Sequence, residues 1–150
     1  MYYIRIVQKE RIIMAYMSQE KKTKLTPAIK EVLKKYGVKG SISVNNHSSL
    51  VVTIQEGVLD LIGQANADNK VEAERRGQMV HEIIGSYQVN PYYAHETGNR
   101  KNASFFKNLI AAMKGTDWYN DSDAQTDYFN TAYYIDINVG KWNKPYKFVA

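Results

Sequence analysis

The sequence predicts a single α+β domain: a mostly antiparallel sheet of three to four strands with two main helices on one face. Three observations lead there. Residues 25–36 and 103–115 place apolar side chains at helical spacing. Residues 40–57 and 132–140 alternate apolar and polar side chains with the period of a half-buried strand. The length of 150 residues, 44% of them apolar, supports one core without covalent staples. No internal repeat or domain boundary divides residues 1–150.

From the N-terminus, YYIRIV is β-prone and RIIMAYM has no clear period. In SQEKKTKLTPAIKEVLKKYG, Thr26 suits an N-cap and Pro27 a first helical position. Leu25, Ile29, Val32, Leu33 and Tyr36 follow at helical spacing, and Gly37 suits the stop. Ser18 is expected to cap a separate short turn. A hairpin comes next: Ile42 and Val44 alternate with serines, Leu50, Val52 and Ile54 with Val51 and Thr53, and Asn45 and Asn46 favour the turn. VLDLIG is a short apolar run closed by Gly63. Residues 64–76 are polar and read as a flexible insertion, its later part helical and running into MVHEII. SYQVNPYY reads as a strand that Pro91 pushes towards an edge. ASFFKNLIAAMKG is the second main helix, with Phe105, Phe106, Leu109, Ile110 and Met113 as its buried stripe and Gly115 at its end. TDWYNDSDAQTD is a polar loop in which Ser122 can cap a helical turn. AYYIDINVG is a late strand, and the tail GKWNKPYKFVA has no clear period. Ferredoxin-like wiring is one of several topologies this order allows.

The net charge of +5 is unevenly placed: +7 in residues 1–40, −3 in 41–100 and +1 in 101–150. A basic first quarter favours polyanions through counterion release. With no cysteine, disulfides, thiolate metal sites and cysteine nucleophiles are excluded. No apolar run reaches the roughly 20 residues of a membrane span, and the N-terminus lacks the pattern of a secretion signal. The expected location is the cytoplasm, with no membrane partner.

The block MAYMSQEKKTKLTPAIKEVLKKYGVKGSISVNNHSSLVV and the later SDAQTDYFNTAYYIDINVGKWNKPY carry a resemblance. They look like small phage proteins similar to the large-polyvalent-protein-associated domains of phages and conjugative elements. The resemblance covers roughly residues 14–62 and 100–146. It implies a phage or mobile-element accessory protein concerned with countering host defence or handling invading DNA, in the cytoplasm of an infected bacterium. It also implies that residues 1–13 are an N-terminal extension. No catalytic residue comes with it.

Two H-x-S/T triplets, His47-Ser48-Ser49 and His95-Glu96-Thr97, have the form used by two-histidine phosphoesterases. There the imidazoles act as base and acid, and the hydroxyls (here Ser49 and Thr97) bind phosphate oxygens. Only the first triplet precedes an apolar run. The pairs His81-Glu82 and His95-Glu96 lack metal-ligand spacing. Asp117, Asp121, Asp123 and Asp127 lack the glycine and distal glutamate of a calcium loop. No Walker loop, G-x-G-x-x-G or G-x-S-x-G occurs. No metal or cofactor is expected, and the missing catalytic constellation points away from an enzyme.

The expected function is non-enzymatic binding that blocks a host defence protein, by a homodimer whose interface uses Tyr92, Tyr93, Tyr134, Trp142 and Tyr146. A second reading is nucleic-acid binding through Lys21, Lys22, Lys24, Lys30, Lys34 and Lys35, with Trp142 or Tyr134 stacking. A third is a phosphodiesterase acting on an oligonucleotide signal through His47 and His95.

Overall fold

A computed structural model describes residues 16–120 and 131–149. It is α+β, as expected. The β-prone segment at residues 2–7, the extension 1–13, the Ser122 cap and three of the loop acids (Asp121, Asp123 and Asp127) lie outside the described residues.

Ser18 caps one continuous helix, α1 (Gln19–Lys35), its hydroxyl accepting from the Lys21 N–H at 3.1 Å. The helix thus starts earlier than Thr26. That threonine lies mid-helix and donates its hydroxyl to the Lys22 carbonyl at 2.7 Å. Pro27 costs α1 one backbone bond, but Ile29 and Leu33 after it are buried and Leu25 before it packs partly buried against the same core. Burial outweighs the local stop signal.

β1 (Val38–Asn45) and β2 (Ser49–Gly57) form the expected hairpin. The chain then enters α2 (Leu61–Arg76), capped by the Asp60 carboxylate on the Gly63 N–H at 3.0 Å. The polar stretch 64–76 is therefore helix throughout. Its signal was weak because only Leu61 and Ala73 are buried along α2. Gly77, at φ +64°, ends α2, so MVHEII is not helical. The Asn66 side chain ties that segment to α2, donating to the Ile83 carbonyl and accepting from the Ile83 N–H.

β3 (Tyr87–Val89) is an edge strand, followed by a 3-10 turn at Ala94–Glu96 and by α3 (Arg100–Lys114). The Asn99 side chain caps α3, accepting from the N–H groups of Lys101 and Asn102. β4 (Tyr134–Val139) and a two-residue β5 (Lys147–Phe148) complete the sheet.

The sheet runs β1-β2-β4-β3, with β5 beside the end of β2. It is mixed: β1/β2 and β3/β4 are antiparallel, while β2/β4 and β2/β5 are parallel. The path from β2 to β4 through α2, β3 and α3 is long enough for a parallel crossover. Among the described residues the element order, which begins with α1, differs from the ferredoxin-like one. As a central strand, β2 is buried at nearly every position instead of alternating. On one face Ile42, Val52, Ile137 and Val89 form a row that packs with Phe105, Leu109 and Ile29 in the core. The opposite row, Ser41, Thr53, Asn138 and Gln88, is polar.

Candidate nucleic-acid interface

The β1–β2 turn places Asn46 and His47 at φ +53° and +55°. Two positive φ angles at the centre of this turn, closed by the Ser48 N–H donating to the Asn45 carbonyl, match the twist of the strands it joins. His47 is exposed, and its carbonyl accepts from the Met17 N–H. Its position is that of a turn residue. His95 lies on the 3-10 turn, 3.7 Å from the Glu96 carboxylate. Neither imidazole sits on a strand, as the two-histidine scheme requires. Their companions separate too: Ser49 lines a hollow at the start of β4, His95 a neighbouring one, and Thr97 a third. His47 lines none of these three.

The geometry gathers a different set. Arg100, Lys107 and Lys114 recur every seven residues along α3, which at 1.5 Å per residue places them about 10 Å apart on one stripe. With Pro91, Tyr92 and His95 they line a hollow of about 580 Å³. A second hollow, of about 270 Å³, shares Pro91, Tyr92 and Lys114 with the first. It adds Trp118, Tyr133, Tyr134 and Asp136. β3 pairs only with the second half of β4, so this hollow occupies the open side of residues 134–136. Together the two make one trough with cations along α3 and aromatic rings at its β4 end.

The aromatic end is held in place. The Trp118 indole N–H donates to the Tyr133 carbonyl at 2.8 Å, and the Lys114 ammonium lies 4.3 Å from the Trp118 ring centroid. The Tyr133 hydroxyl donates to the Met113 and Lys114 carbonyls, closing the end of α3. Burial pushes its pKa up to about 12, with Asp117 adding to the shift. Among the described residues no carboxylate forms an ion pair with Arg100, Lys107 or Lys114. Their charge is open to an anionic ligand.

The lysines of α1 are arranged otherwise. Lys21, Lys24, Lys30, Lys34 and Lys35 are exposed and Lys22 is half-buried, and the six spread around more than one helix face. Lys24 pairs with Glu20 at 3.6 Å, while Lys21 and Lys35 lie 5.8 and 5.7 Å from the ring centroids of Tyr133 and Tyr36. Lys30, Lys34 and Lys39 border a hollow of about 410 Å³ that holds no aromatic side chain.

Of the five aromatics expected at an interface, Tyr92 (65% exposed) and Tyr134 (50%) meet in the trough. Tyr93 is exposed but lines the hollow on the other side of the 3-10 turn. Trp142, 90% exposed, sits in the short turn between the bridged Lys141 and Lys144, beyond the far end of β4. Tyr146 is a core residue, and this corrects its assignment: its hydroxyl donates to the buried Leu59 carbonyl at 2.6 Å. Adjacent aromatic pairs do not reveal which member faces inward when no regular strand carries them.

Sequence reasoning passed over Arg100, Lys107 and Lys114. The seven-residue spacing of three cations opposite the Phe105–Leu109–Met113 stripe was the available signal. Among the described residues no group of three or more His, Cys, Asp and Glu could hold a metal ion. No described helix is long and apolar enough to cross a membrane. A scan against models of protein families, and searches of curated proteins and of solved structures, find no match to this chain.

Proposed function

We propose that the protein is a non-enzymatic accessory protein that binds single-stranded nucleic acid along this trough. The observation that supports it is the shared wall of Pro91, Tyr92 and Lys114, which joins a line of cations, none in an ion pair with a described carboxylate, to exposed aromatic rings. Single strands are held by that combination: cations track the phosphates while bases stack on rings, whatever their sequence. Arg100, Lys107 and Lys114 take the phosphates, and Tyr92 and Tyr134 take the bases. In the phage or mobile-element setting that the sequence resemblance implies, such a protein shelters single strands from host defence.

Fluorescence anisotropy with a labelled 20-nucleotide single strand, and the same strand in a duplex, tests this reading. The single strand should bind more tightly, with affinity falling steeply as salt rises. Equal affinity for both forms, or binding insensitive to salt, would remove the reading.

A second reading, a trough that blocks a host defence protein, draws on the exposure of Tyr92, Tyr93 and Tyr134, since tyrosine is a favoured interface anchor. A tagged pull-down from bacterial lysate separates the two. A discrete protein retained after nuclease treatment favours the second, and recovery that collapses favours the first.

A further inference from the structure

Between α2, β3 and the 3-10 turn lies a cavity of about 320 Å³ that the trough does not use. Its floor is apolar, formed by Leu61, Val89, Ala94 and Phe106, all buried. Its walls are polar and almost without positive charge: no lysine, arginine or histidine lines it. A phosphate has nothing to hold it there.

Among the buried and half-buried side chains of the walls the open hydrogen-bonding atoms are acceptors, while the amides of Asn69, Gln88 and Asn90 stand exposed to water. Asn102 is 2% exposed. Its Nδ2 donates to the Asp60 carbonyl at 3.2 Å, which fixes the amide orientation, and its Oδ1 accepts from no described residue. A buried amide oxygen without a donor is costly, so one here calls for a ligand or water. Gln64 repeats the pattern: its Nε2 donates to Asp68 Oδ1 at 2.8 Å, leaving Oε1 without a described partner. Asp68 accepts from Gln64 and from the Gly98 N–H, and among the described residues no cation pairs with it. Tyr93 stands at the rim, two-thirds exposed.

An apolar floor, a tyrosine at the mouth, two open amide oxygens and a carboxylate that no described cation pairs with fit one chemical class. We propose that this cavity binds an aminated nucleobase, as in adenosine, cytidine or guanosine, with the exocyclic amino group donating to Asn102 Oδ1 and the Asp68–Gln64 pair. Amide and carboxylate side chains read such base edges elsewhere in protein–nucleic acid recognition. The volume admits a nucleoside. The base comes from a free nucleoside or from a strand lying in the trough, since Tyr92 lines the trough and the next residue, Tyr93, lines this cavity. The inference does not depend on the trough reading.

The test is a titration of the ¹⁵N-labelled protein with adenosine, cytidine, guanosine and uridine, following amide shifts. The three aminated nucleosides should bind at least tenfold more tightly than uridine and shift the Asn102 side-chain amide. Adenosine monophosphate should bind no more tightly than adenosine. Gln64→Ala and Asn102→Ala should each weaken adenosine binding several-fold. Gly98→Ala provides a variant that leaves the core alone: a Cβ there would sit 2.7 Å from Asp68 Oδ1 and displace the carboxylate, with the same several-fold loss. Two further arms identify the source of the base. Adenosine binding that survives Arg100→Ala/Lys107→Ala/Lys114→Ala marks a free-nucleoside site. Shifts at Asn102 produced by an oligonucleotide, and lost in that triple variant, mark a base delivered by the strand. Uridine binding as tightly as adenosine overturns the proposal, as does adenosine binding unchanged in Gln64→Ala and Gly98→Ala, or no shift with any nucleoside at millimolar concentration.

Discussion

α1 and α3 lie against each other over the apolar face of the sheet, and both carry an excess of lysine or arginine. The cations of α1 are more numerous but dispersed: one pairs with Glu20, two lie near rings, and Lys30 and Lys34 border a hollow without aromatic side chains. Three of the four on α3 fall on a single stripe that borders a trough whose other end is aromatic. Number of charges is what a sequence displays. Convergence of charges with rings in a concavity makes a binding surface, and only the fold supplies it.

The comparison is broken most directly by removing charge from each helix in turn. Arg100→Ala/Lys107→Ala/Lys114→Ala should lower single-strand affinity about 100-fold, taking about 1 kcal/mol or more for each lost charge-assisted contact. Lys24→Ala/Lys30→Ala/Lys35→Ala should lower it less than about threefold; anisotropy titrations at fixed salt measure both. The aromatic half of the trough comes next. Tyr92→Ala and Tyr134→Ala should each weaken binding about tenfold, within the 1–3 kcal/mol that a stacked base contributes. Trp142→Ala, remote from the trough, should change nothing, and an equal loss there would erase the distinction.

A pH arm tests how α3 is anchored. Tyr133 and Tyr146 have pKa values raised to about 12, burial being the main cause. The folded state therefore retains both protons to higher pH than the unfolded chain, whose tyrosines ionise near 10. Their contribution is complete below pH 10 and is lost as pH rises towards 12, by roughly 2 kcal/mol or more in total. Urea melts between pH 9 and 12 should show that decline, shallower in Tyr133→Phe. The smallest effect concerns the hairpin. His47→Gly should stabilise the fold by up to about 1 kcal/mol, because glycine adopts positive φ without steric cost. The same His47→Gly variant should bind single strands as the parent does.

Both main helical stripes and the alternation of β1 and β4 were legible because each buries one side against a single core, which stamps a period on the sequence, whereas central β2 is buried on both faces. Ser18 and Thr26 are both plausible caps by residue type, and burial of Ile29 and Leu33 decided between them. α2 was hidden because its buried contacts are few, and β5 because two residues show no period. The α1 lysines announced themselves by clustering. Arg100, Lys107 and Lys114 are seven residues apart, so no run of charge marks them, and the Tyr92 and Tyr134 that face them come from other elements. Their meeting follows from β3 stopping at Val89 and leaving half of β4 open, a fact of pairing that composition does not carry. Tyr146 misled for the opposite reason: an aromatic between lysines looks exposed until its hydroxyl is found on the Leu59 carbonyl.

The most direct measurement is the salt dependence of single-strand binding in three proteins: the parent, the α3 triple variant and the α1 triple variant. Each neutralised phosphate contributes about 0.7 to the slope of log affinity against log salt for a single strand. The slope should flatten by about 2 in the α3 variant and stay at the parent value in the α1 variant. A slope that flattens in the α1 variant while the α3 variant keeps the parent value would place the phosphates on α1 and contradict the trough.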